Sequence, residues 1–225
     1  LAMHGHSVRV YEAREKSGGL NEYGIAAYKA PGNFAQREVD FILGIGGITV
    51  EHGRALGRTL SLAQLQADFD AVFLAVGLQG VNALGAANDD AEGVTDAVGY
   101  IADLRQAGDL SGLPVGRKVV VIGGGMTAID VAVQSRLLGA EDVTILYRRG
   151  PGQMKASKYE QDLAQTKGVK IRHWTMPREV IASNGKAVGL RCEYTRETDG
   201  RLSGTGETFD LAADMIFRAI GQTHV

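Results

Sequence analysis

The chain has 225 residues, 44% hydrophobic and 22% charged, enough to bury a substantial core in one or two domains. The net charge of −2 argues against nucleic acid as a partner, because nucleic-acid-binding domains usually carry a basic excess on one face. No run approaches the roughly 18 apolar residues of a membrane span and no signal peptide is recognised, so we expect a cytoplasmic protein without a membrane partner.

The first part of the chain predicts a small α/β unit that opens on the last turn of a helix. The strand that follows ends in Glu12, which is placed to accept hydrogen bonds from an adenosine ribose. This order is the second half of a dinucleotide-binding βαβ unit, so we expect its glycine turn to lie upstream of residue 1. Further predicted elements are a flexible loop at 17–21, an irregular loop at 24–32, a helix at 34–43, a strand at 48–50, a helix at 62–66 and an apolar strand at 71–76.

After a loop at 82–92 and a helix at 97–106, the segment Lys118 to Asp130 carries the strongest signal. A β-branched apolar run leads into Gly123, Gly124 and Gly125 and then into a helical segment, as where a buried parallel strand turns into a helix across a nucleotide diphosphate. Gly123 allows the tight turn and Gly125 lets the backbone approach a pyrophosphate. The free N–H groups that begin the helix then face the anion.

The surroundings of the glycines favour a dinucleotide site. The small Ala128 permits close helix–strand packing, and Ile129, Val133 and Leu137 continue as an apolar helix face. Gly139 is placed to end that helix, and residues 143–147 predict the next strand of a βαβ unit. The alternative is a glycine turn in an α/β fold that binds nothing.

Two arginines follow the second strand of this unit. An NAD site usually has an acidic residue there for the ribose 2′-hydroxyl, whereas Arg148 and Arg149 suit a 2′-phosphate. Lys155 in the following loop offers a third positive charge. NADP is therefore favoured, although some NADH users have arginine here, so NAD stays possible. A solvated basic turn is the alternative.

The last third of the chain changes from parallel to antiparallel patterns. A helix at 158–166 and a strand at 169–173 are followed by short alternating runs joined by Asn-Gly and Asp-Gly pairs, which predict a β-meander. A core strand at 214–220 then ends at Gly221. The predicted runs of the meander are 179–182, 187–194 and 207–211.

The side chains point to no catalytic group and no metal site of the chain's own. Cys192 is the only cysteine, which excludes an internal disulfide and a four-cysteine cluster, and it is best interpreted as a packed thiol. His4 and His6 fit a helix C-terminus better than a metal pair. Hydride transfer between cofactor rings requires positioning, so we assign no general acid or base.

Several motifs along the chain share one pattern. They are Glu12 through Gly18-Gly19-Leu20, the strand-to-glycine stops Ala75-Val-Gly77 and Ala219-Ile-Gly221, the segment Val121 to Asp130, and Tyr147-Arg-Arg149. Together they resemble the FAD/NAD(P)H oxidoreductase family containing the glutamate synthase small subunit and the electron-entry subunit of dihydropyrimidine dehydrogenase. The resemblance covers nearly the whole chain.

The resemblance implies an α/β fold with two Rossmann-like nucleotide-binding halves, as in disulfide reductases, the second with a β-meander insertion. Residues 1–80 would be part of an FAD domain without its N-terminal glycine turn, and residues 81–225 an NAD(P)H domain. In that family the nicotinamide stacks on the flavin, and electrons leave through iron–sulfur clusters to a partner. Both ends of the chain look cut, so the clusters would lie outside it and the chain alone would hold FAD weakly.

The resemblance also implies cofactor-binding residues. Glu12 would hold the FAD ribose, with Gly19, Leu20 and Lys29 near the flavin. Gly123, Gly124, Gly125, Met126 and Thr127 would surround the NADP pyrophosphate, with Arg148, Arg149 and Lys155 around the 2′-phosphate and Ala219, Ile220 and Gly221 on the nicotinamide side. The family usually has Asp or Asn where Met126 stands.

The implied function is an NAD(P)H-oxidising flavoprotein subunit that passes electrons through FAD to a partner catalytic subunit, of the glutamate synthase or dihydropyrimidine dehydrogenase type. The alternative is a non-catalytic nucleotide-binding module with a structural or regulatory role. The final electron acceptor is open, and so is assembly into a homo-oligomer.

Overall fold

The computed structural model describes residues 1–78 and 80–223. The chain divides into two compact units, Leu1–Gly77 and the chain from Leu78 onward.

The first unit is built around two parallel strands. In it β1 (Val8–Glu12) pairs with β2 (Ile48–His52), from Val8 opposite Ile48 to Glu12 opposite His52. The predicted helix end is a single 3₁₀ turn closed by Gly5 in the left-handed region. The elements in chain order are β1 (Val8–Glu12), α1 (Gly19–Tyr23), α2 (Phe34–Leu43), β2 (Ile48–His52) and α3 (Leu62–Asp68).

Two expectations for this unit were wrong. The predicted flexible loop at 17–21 contains the start of α1, and the Gln36 side chain fixes it by donating to the Ser17 carbonyl at 2.8 Å. The predicted strand at 71–76 is absent, and Phe73 there is 88% exposed. Apolar composition predicts burial, but a strand also needs a hydrogen-bonding neighbour. Among the described residues none pairs with this segment.

The second unit contains a five-stranded parallel sheet in the order β4 (Val94–Asp96), β11 (Met215–Arg218), β5 (Lys118–Ile122), β6 (Asp142–Leu146) and β7 (Val169–Arg172). From β5 the next strands along the chain, β6 and β7, extend to one side, whereas β11 and β4 lie on the other side. The strand order therefore reverses between β11 and β5, and ligands of open α/β sheets bind at such a point. Its elements are β3 (Gly80–Val81), β4 (Val94–Asp96), α4 (Ala97–Gln106), β5 (Lys118–Ile122), α5 (Met126–Leu137), β6 (Asp142–Leu146), α6 (Lys158–Thr166), β7 (Val169–Arg172), β8 (Thr175–Ser183), β9 (Lys186–Thr198), β10 (Arg201–Ala212), β11 (Met215–Arg218) and β12 (Gln222–Thr223).

The parallel sheet is covered on one face by helices and on the other by the β-meander. Phe217 packs on Tyr100 of α4 with ring centroids 4.8 Å apart. The next residue back, Ile216, belongs to a buried cluster with Leu190 and Cys192 of β9. Successive strand residues point to opposite faces, so this one strand contributes to two cores.

The meander has the hairpin turns that the sequence predicts. Strands β8, β9 and β10 form an antiparallel sheet in that order. Asn184-Gly185 and Asp199-Gly200 have φ values of 50° and 79°, and of 51° and 74°. Two consecutive positive φ values are those of the two-residue turns that match the twist of a β-hairpin.

Helix α5 is more deeply enclosed than a one-faced amphipathic helix. Eight of its residues are buried, because it packs on β5 and β6 and also lies between α4 and α6. The predicted face holds at Ile129 and Val133 but not at Leu137, which is 61% exposed at the last turn. Gly139 follows the helix with a φ of 108°, as predicted for its C-terminus.

Candidate nucleotide-binding site

The first glycine after β5 is required by the close approach of another strand. Gly123 has a φ of 151°, and a Cβ atom there would stand 2.2 Å from the carbonyl oxygen of Ala219. The Ala219 amide in turn donates to the carbonyl of Ile122 at 2.8 Å. The turn out of β5 therefore lies directly against the chain leaving β11, at the point where the strand order reverses.

The second glycine is required by an aromatic ring. A Cβ atom on Gly124 would stand 2.4 Å from the ring of Tyr147, the residue that follows β6. No packing role was predicted for Gly124, and Tyr147 was noted only as part of the Tyr147-Arg-Arg149 motif. The one sequence signal for their contact was the place of Tyr147 after a buried strand, at the edge where β5 also ends.

The third glycine faces open space. A hypothetical Cβ on Gly125 would meet no non-neighbouring atom of the described chain within 4 Å. Gly125 is the N-cap of α5, and no side chain caps the helix. Among residues 1–78 and 80–223, nothing accepts a hydrogen bond from the amides of Gly125, Met126 or Thr127. These amides and the helix dipole form an electropositive surface suited to an anion.

The first two residues of α5 differ in exposure. Met126 is 60% exposed, whereas Thr127 is half-buried. Neither side chain caps the helix. The residue at the open start of the helix is thus a methionine, whose thioether leaves the helix amides free. An acidic or amide side chain there would compete with a bound anion for these amides.

The two predicted phosphate ligands follow β6. Arg148 is exposed and Arg149 is half-buried. Neither guanidinium forms a hydrogen bond or ion pair with another residue in the described part of the chain. Both cations are therefore free to bind an anion. Their carbonyl groups, in contrast, accept hydrogen bonds from Thr195 and Trp174.

The loop carrying Lys155 runs alongside the glycine turn. The Ala156 amide donates to the carbonyl of Gly124 at 3.0 Å, which joins the loop to the middle glycine. The Tyr147 hydroxyl donates to the carbonyl of Gln153 at 2.6 Å. Lys155 between these anchors is exposed, and its ammonium has no partner among the described residues.

The segment predicted for the nicotinamide side also borders the glycine turn. Ala219, Ile220 and Gly221 follow β11 and are all at least partly exposed. Asn82 holds this segment, because its amide donates to the Gly221 carbonyl at 3.2 Å and its side chain to the Ile220 carbonyl at 3.1 Å. The role of Asn82 was not predicted from the sequence, since no local pattern indicates a hydrogen-bond partner 138 positions away.

The four residues predicted for FAD all lie in the first unit. Glu12 ends β1 and accepts a hydrogen bond from the Arg14 amide at 2.9 Å through one carboxylate oxygen. Gly19 and Leu20 begin α1, and Leu20 is 65% exposed. Lys29 is half-buried in the loop after α1, with its ammonium 5.9 Å from the centre of the Tyr28 ring.

Cysteine chemistry has no part in this site. Cys192 is fully buried under the parallel sheet, and burial raises the pKa of its thiol to about 12. The reactive form of cysteine is the thiolate, so such a thiol is a poor nucleophile. Separately, no helix in the described part of the chain has the length and apolar character needed to cross a membrane.

Comparison with known proteins finds relatives along almost the full chain. The chain is 34% identical to the β subunit of an NADPH-Fe(3+) oxidoreductase from Geobacter sulfurreducens, over 99% of this chain and 34% of that protein. It is 31% identical to the small chain of the Escherichia coli NADPH glutamate synthase, over 98% of this chain and 50% of that protein. The chain thus spans a third to a half of the length of these relatives.

A third relative and two solved structures extend the comparison. The NAD-dependent dihydropyrimidine dehydrogenase subunit PreT of Salmonella typhimurium is 32% identical over 97% of this chain and 49% of its own length. FprA, a Mycobacterium tuberculosis oxidoreductase, superposes with a TM-score of 0.80 over 97% of this chain and 65% of FprA, at 21% identity. Thioredoxin reductase of T. acidophilum superposes with a TM-score of 0.63 over 96% of this chain and 77% of its own, at 16% identity.

These structures confirm the predicted fold class, an α/β fold of the disulfide-reductase type. The relatives confirm the resemblance to glutamate synthase small subunits and dihydropyrimidine dehydrogenase subunits. A family model described as pyridine nucleotide-disulphide oxidoreductase matches residues 1–224. The chain therefore belongs to the pyridine nucleotide-disulphide oxidoreductase family.

Proposed function

We propose that the chain is the NADPH-oxidising part of a flavoprotein subunit that passes electrons through FAD to a partner catalytic subunit. One observation carries the proposal: an open, uncapped glycine turn lies beside a loop whose three cations have no hydrogen-bond or ion-pair partner in residues 1–78 and 80–223. A structural turn would have its amides capped and its charges paired or dispersed.

The glycine turn supports binding of the NADPH pyrophosphate. Gly125 leaves open space in front of the helix, and three successive amides around it are unbonded within the described chain. Unsatisfied amides at a helix N-terminus bind phosphate through hydrogen bonds and the helix dipole. Gly124 contributes differently, since its missing side chain makes room for Tyr147.

The basic loop supports selectivity for the 2′-phosphate of NADPH. Lys155 precedes Ala156, whose amide donates to the Gly124 carbonyl, and the two arginines follow Tyr147, whose ring packs on Gly124. An NADH site would instead have an acidic side chain near the end of β6 to accept from the ribose hydroxyl. The residues that do follow β6, Tyr147, Arg148 and Arg149, include no acid.

As part of this proposal, residues 81–225 bind the pyridine nucleotide and residues 1–80 contribute to an FAD domain. Glu12 at the end of β1 keeps one carboxylate oxygen available beside the one that binds Arg14, as ribose recognition requires. When bound, NADPH would supply a hydride, that is two electrons and a proton, and FAD would pass the electrons on one at a time while the proton is released. The chain's own residues bind and orient these groups, and we assign no proton-transfer residue.

The names of relatives support the electron-transfer role and leave the acceptor open. They include β and small subunits of an NADPH-Fe(3+) oxidoreductase and of glutamate synthase. A further relative is named as a subunit of an NADP-dependent formate dehydrogenase from Moorella thermoacetica. Such names are consistent with a partner catalytic subunit, whose substrate differs among the relatives.

Titration of the chain with NADPH and NADH tests the proposal. We expect tighter binding of NADPH, and we expect Gly125→Ala to weaken both nucleotides because its methyl group occupies the space in front of the amides. The double variant Arg148→Ala, Arg149→Ala should weaken NADPH alone, at about 1.5–3 kcal/mol for each lost charge-assisted contact. Equal affinities for the two nucleotides in the parent chain would contradict the NADPH assignment.

A visible spectrum of the full-length product of the gene tests the redox part. Flavin absorption that is bleached by NADPH is the expected result. A colourless protein that still binds NADPH would show a nucleotide-binding module without flavin chemistry.

A further inference from the structure

Three successive carbonyl groups after β6 are held from outside the Rossmann-like sheet. The carbonyl of Tyr147 accepts from the Thr175 amide at 3.1 Å, and that of Arg149 accepts from the Trp174 amide at 3.2 Å. Between them, the carbonyl of Arg148 accepts from the hydroxyl of Thr195 at 2.7 Å. Trp174 lies at the corner between β7 and β8, Thr175 begins β8, and Thr195 lies in β9. The meander therefore fixes the backbone that carries both arginines.

Thr195 is the one side-chain donor among these three. It is buried at 6% exposure, and its own amide donates to the carbonyl of Trp174 at 2.8 Å. The residue thus ties β9 both to the corner and to the turn after β6. A buried hydroxyl with a short, direct bond to a carbonyl holds that peptide plane in one orientation.

The corner itself is in a conformation that few bulky residues adopt. Trp174 has a φ of 54°, and a Cβ atom on Gly150 would stand only 2.8 Å from its ring. A tryptophan in the left-handed region costs backbone energy and persists only where surrounding contacts fix it. Here the contacts are the Trp174 amide to Arg149, its carbonyl to Thr195 and its ring on Gly150.

We infer that Thr195 is a positioning residue for coenzyme selectivity, acting through the Arg148 carbonyl to hold the arginine turn in the geometry that binds a 2′-phosphate. This inference rests on the proposed function and gives the meander a role in it. The Arg148 guanidinium has no hydrogen bond or ion pair with another residue of the described chain, so its direction depends on the peptide planes on either side. Holding those planes in advance lowers the cost of ordering the arginine when the ligand binds.

Thr195→Val tests the inference, because it keeps the β-branched shape and removes only the hydroxyl. Thr195→Ser is the rescue variant, and Thr198→Val on the exposed end of β9 is the matched control. The ligands are NADPH and NADH, together with adenosine 2′,5′-bisphosphate and ADP, which isolate the 2′-phosphate from the nicotinamide. Thermal unfolding of each variant is measured alongside binding.

We expect Thr195→Val to reduce the ratio of NADPH to NADH affinity by about fivefold, the net strength of one hydrogen bond. Affinity for NADH and ADP should stay within twofold of the parent, and Thr195→Ser and Thr198→Val should keep the parent ratio. Equal loss for all four ligands, or an unchanged ratio in a folded Thr195→Val, would overturn the inference and leave the proposed function standing. A parent chain that does not prefer NADPH would overturn both.

Discussion

The ring of Tyr147 packs on the Cα of Gly124 so closely that a Cβ atom would stand 2.4 Å from it. The contact joins the turn after β5 to the turn after β6, which are the two segments that we propose bind opposite parts of one nucleotide. Adjacent glycines in the same turn therefore have different physical roles. Gly124 accommodates protein, and Gly125 faces open space.

This difference predicts opposite effects on stability for two otherwise identical substitutions. Gly124→Ala should lower the free energy of unfolding by about 1–3 kcal/mol, because the Tyr147 ring must move to admit the methyl group. Gly125→Ala should leave stability unchanged or raise it by up to about 1 kcal/mol, since its φ of −98° suits alanine and nothing opposes the added atom. Urea unfolding of both variants is the measurement. Equal destabilisation would show that the space beside Gly125 is closed in solution.

Local signals in the sequence predicted much of the second unit. Helices α4 and α6 were predicted with the observed bounds, and each begins after an acidic or hydroxyl N-cap, Asp96 and Ser157, that accepts from the third helical residue. The hairpin turns followed from Asn-Gly and Asp-Gly pairs. Capping and turn chemistry act within a few residues, so one sequence reveals them.

What the sequence did not predict depends on contacts between distant segments. The pairing of β3 with β12 joins residues near 80 to residues near 222, and both strands are too short to show a pattern. The hydrogen bond from Thr195 to Arg148 spans 47 positions. The strand predicted for the apolar segment 71–76 was wrong for the same reason, because composition does not reveal whether a partner strand lies close enough to pair. The glycine turn was predicted as a motif, whereas the contact between Gly124 and Tyr147 required coordinates.

The buried thiol should be unreactive in the native chain. Burial raises the pKa of Cys192 to about 12, so thiolate is scarce at pH 8 and the sulfur is also inaccessible. We expect no reaction with an aromatic disulfide reagent at pH 8 in native buffer, and reaction of one thiol per chain in 6 M guanidinium. Rapid native labelling at a rate independent of denaturant would contradict the described packing of β9 against the sheet.

Stability of the meander should depend on pH through Glu193. This buried carboxylate accepts from the Arg178 guanidinium and, at 2.7 Å, from the Gly206 amide, and these hydrogen bonds lower its pKa below the ordinary 4.5. A carboxyl group with a lower pKa in the folded state contributes stability above pH 4.5, which is lost as pH falls through the folded pKa.

Glu193→Gln should therefore be less stable than the parent at pH 7, and the two should converge as the pH falls below 4.5. Urea midpoints between pH 7 and pH 3 measure this difference. Asp210→Asn, which alters an exposed ion pair with Arg191 on the same sheet, is the control and should show little difference at any pH. A constant gap between parent and Glu193→Gln across that range would show that the charge of Glu193 does not stabilise the meander.

Salt should weaken NADPH binding more than NADH binding. Arg148 is exposed and Arg149 partly exposed, so their attraction to a 2′-phosphate is screened as the Debye length falls from about 10 Å at 0.1 M to about 3 Å at 1 M salt. The pyrophosphate contacts at the start of α5 are common to both nucleotides, so screening there cancels in the ratio of the two affinities. We expect the NADPH preference to fall steeply with potassium chloride in the parent chain and to be nearly independent of salt in Arg148→Ala, Arg149→Ala. A preference that survives 1 M salt in the parent would indicate that discrimination comes from neutral contacts in the pocket and not from the arginine turn.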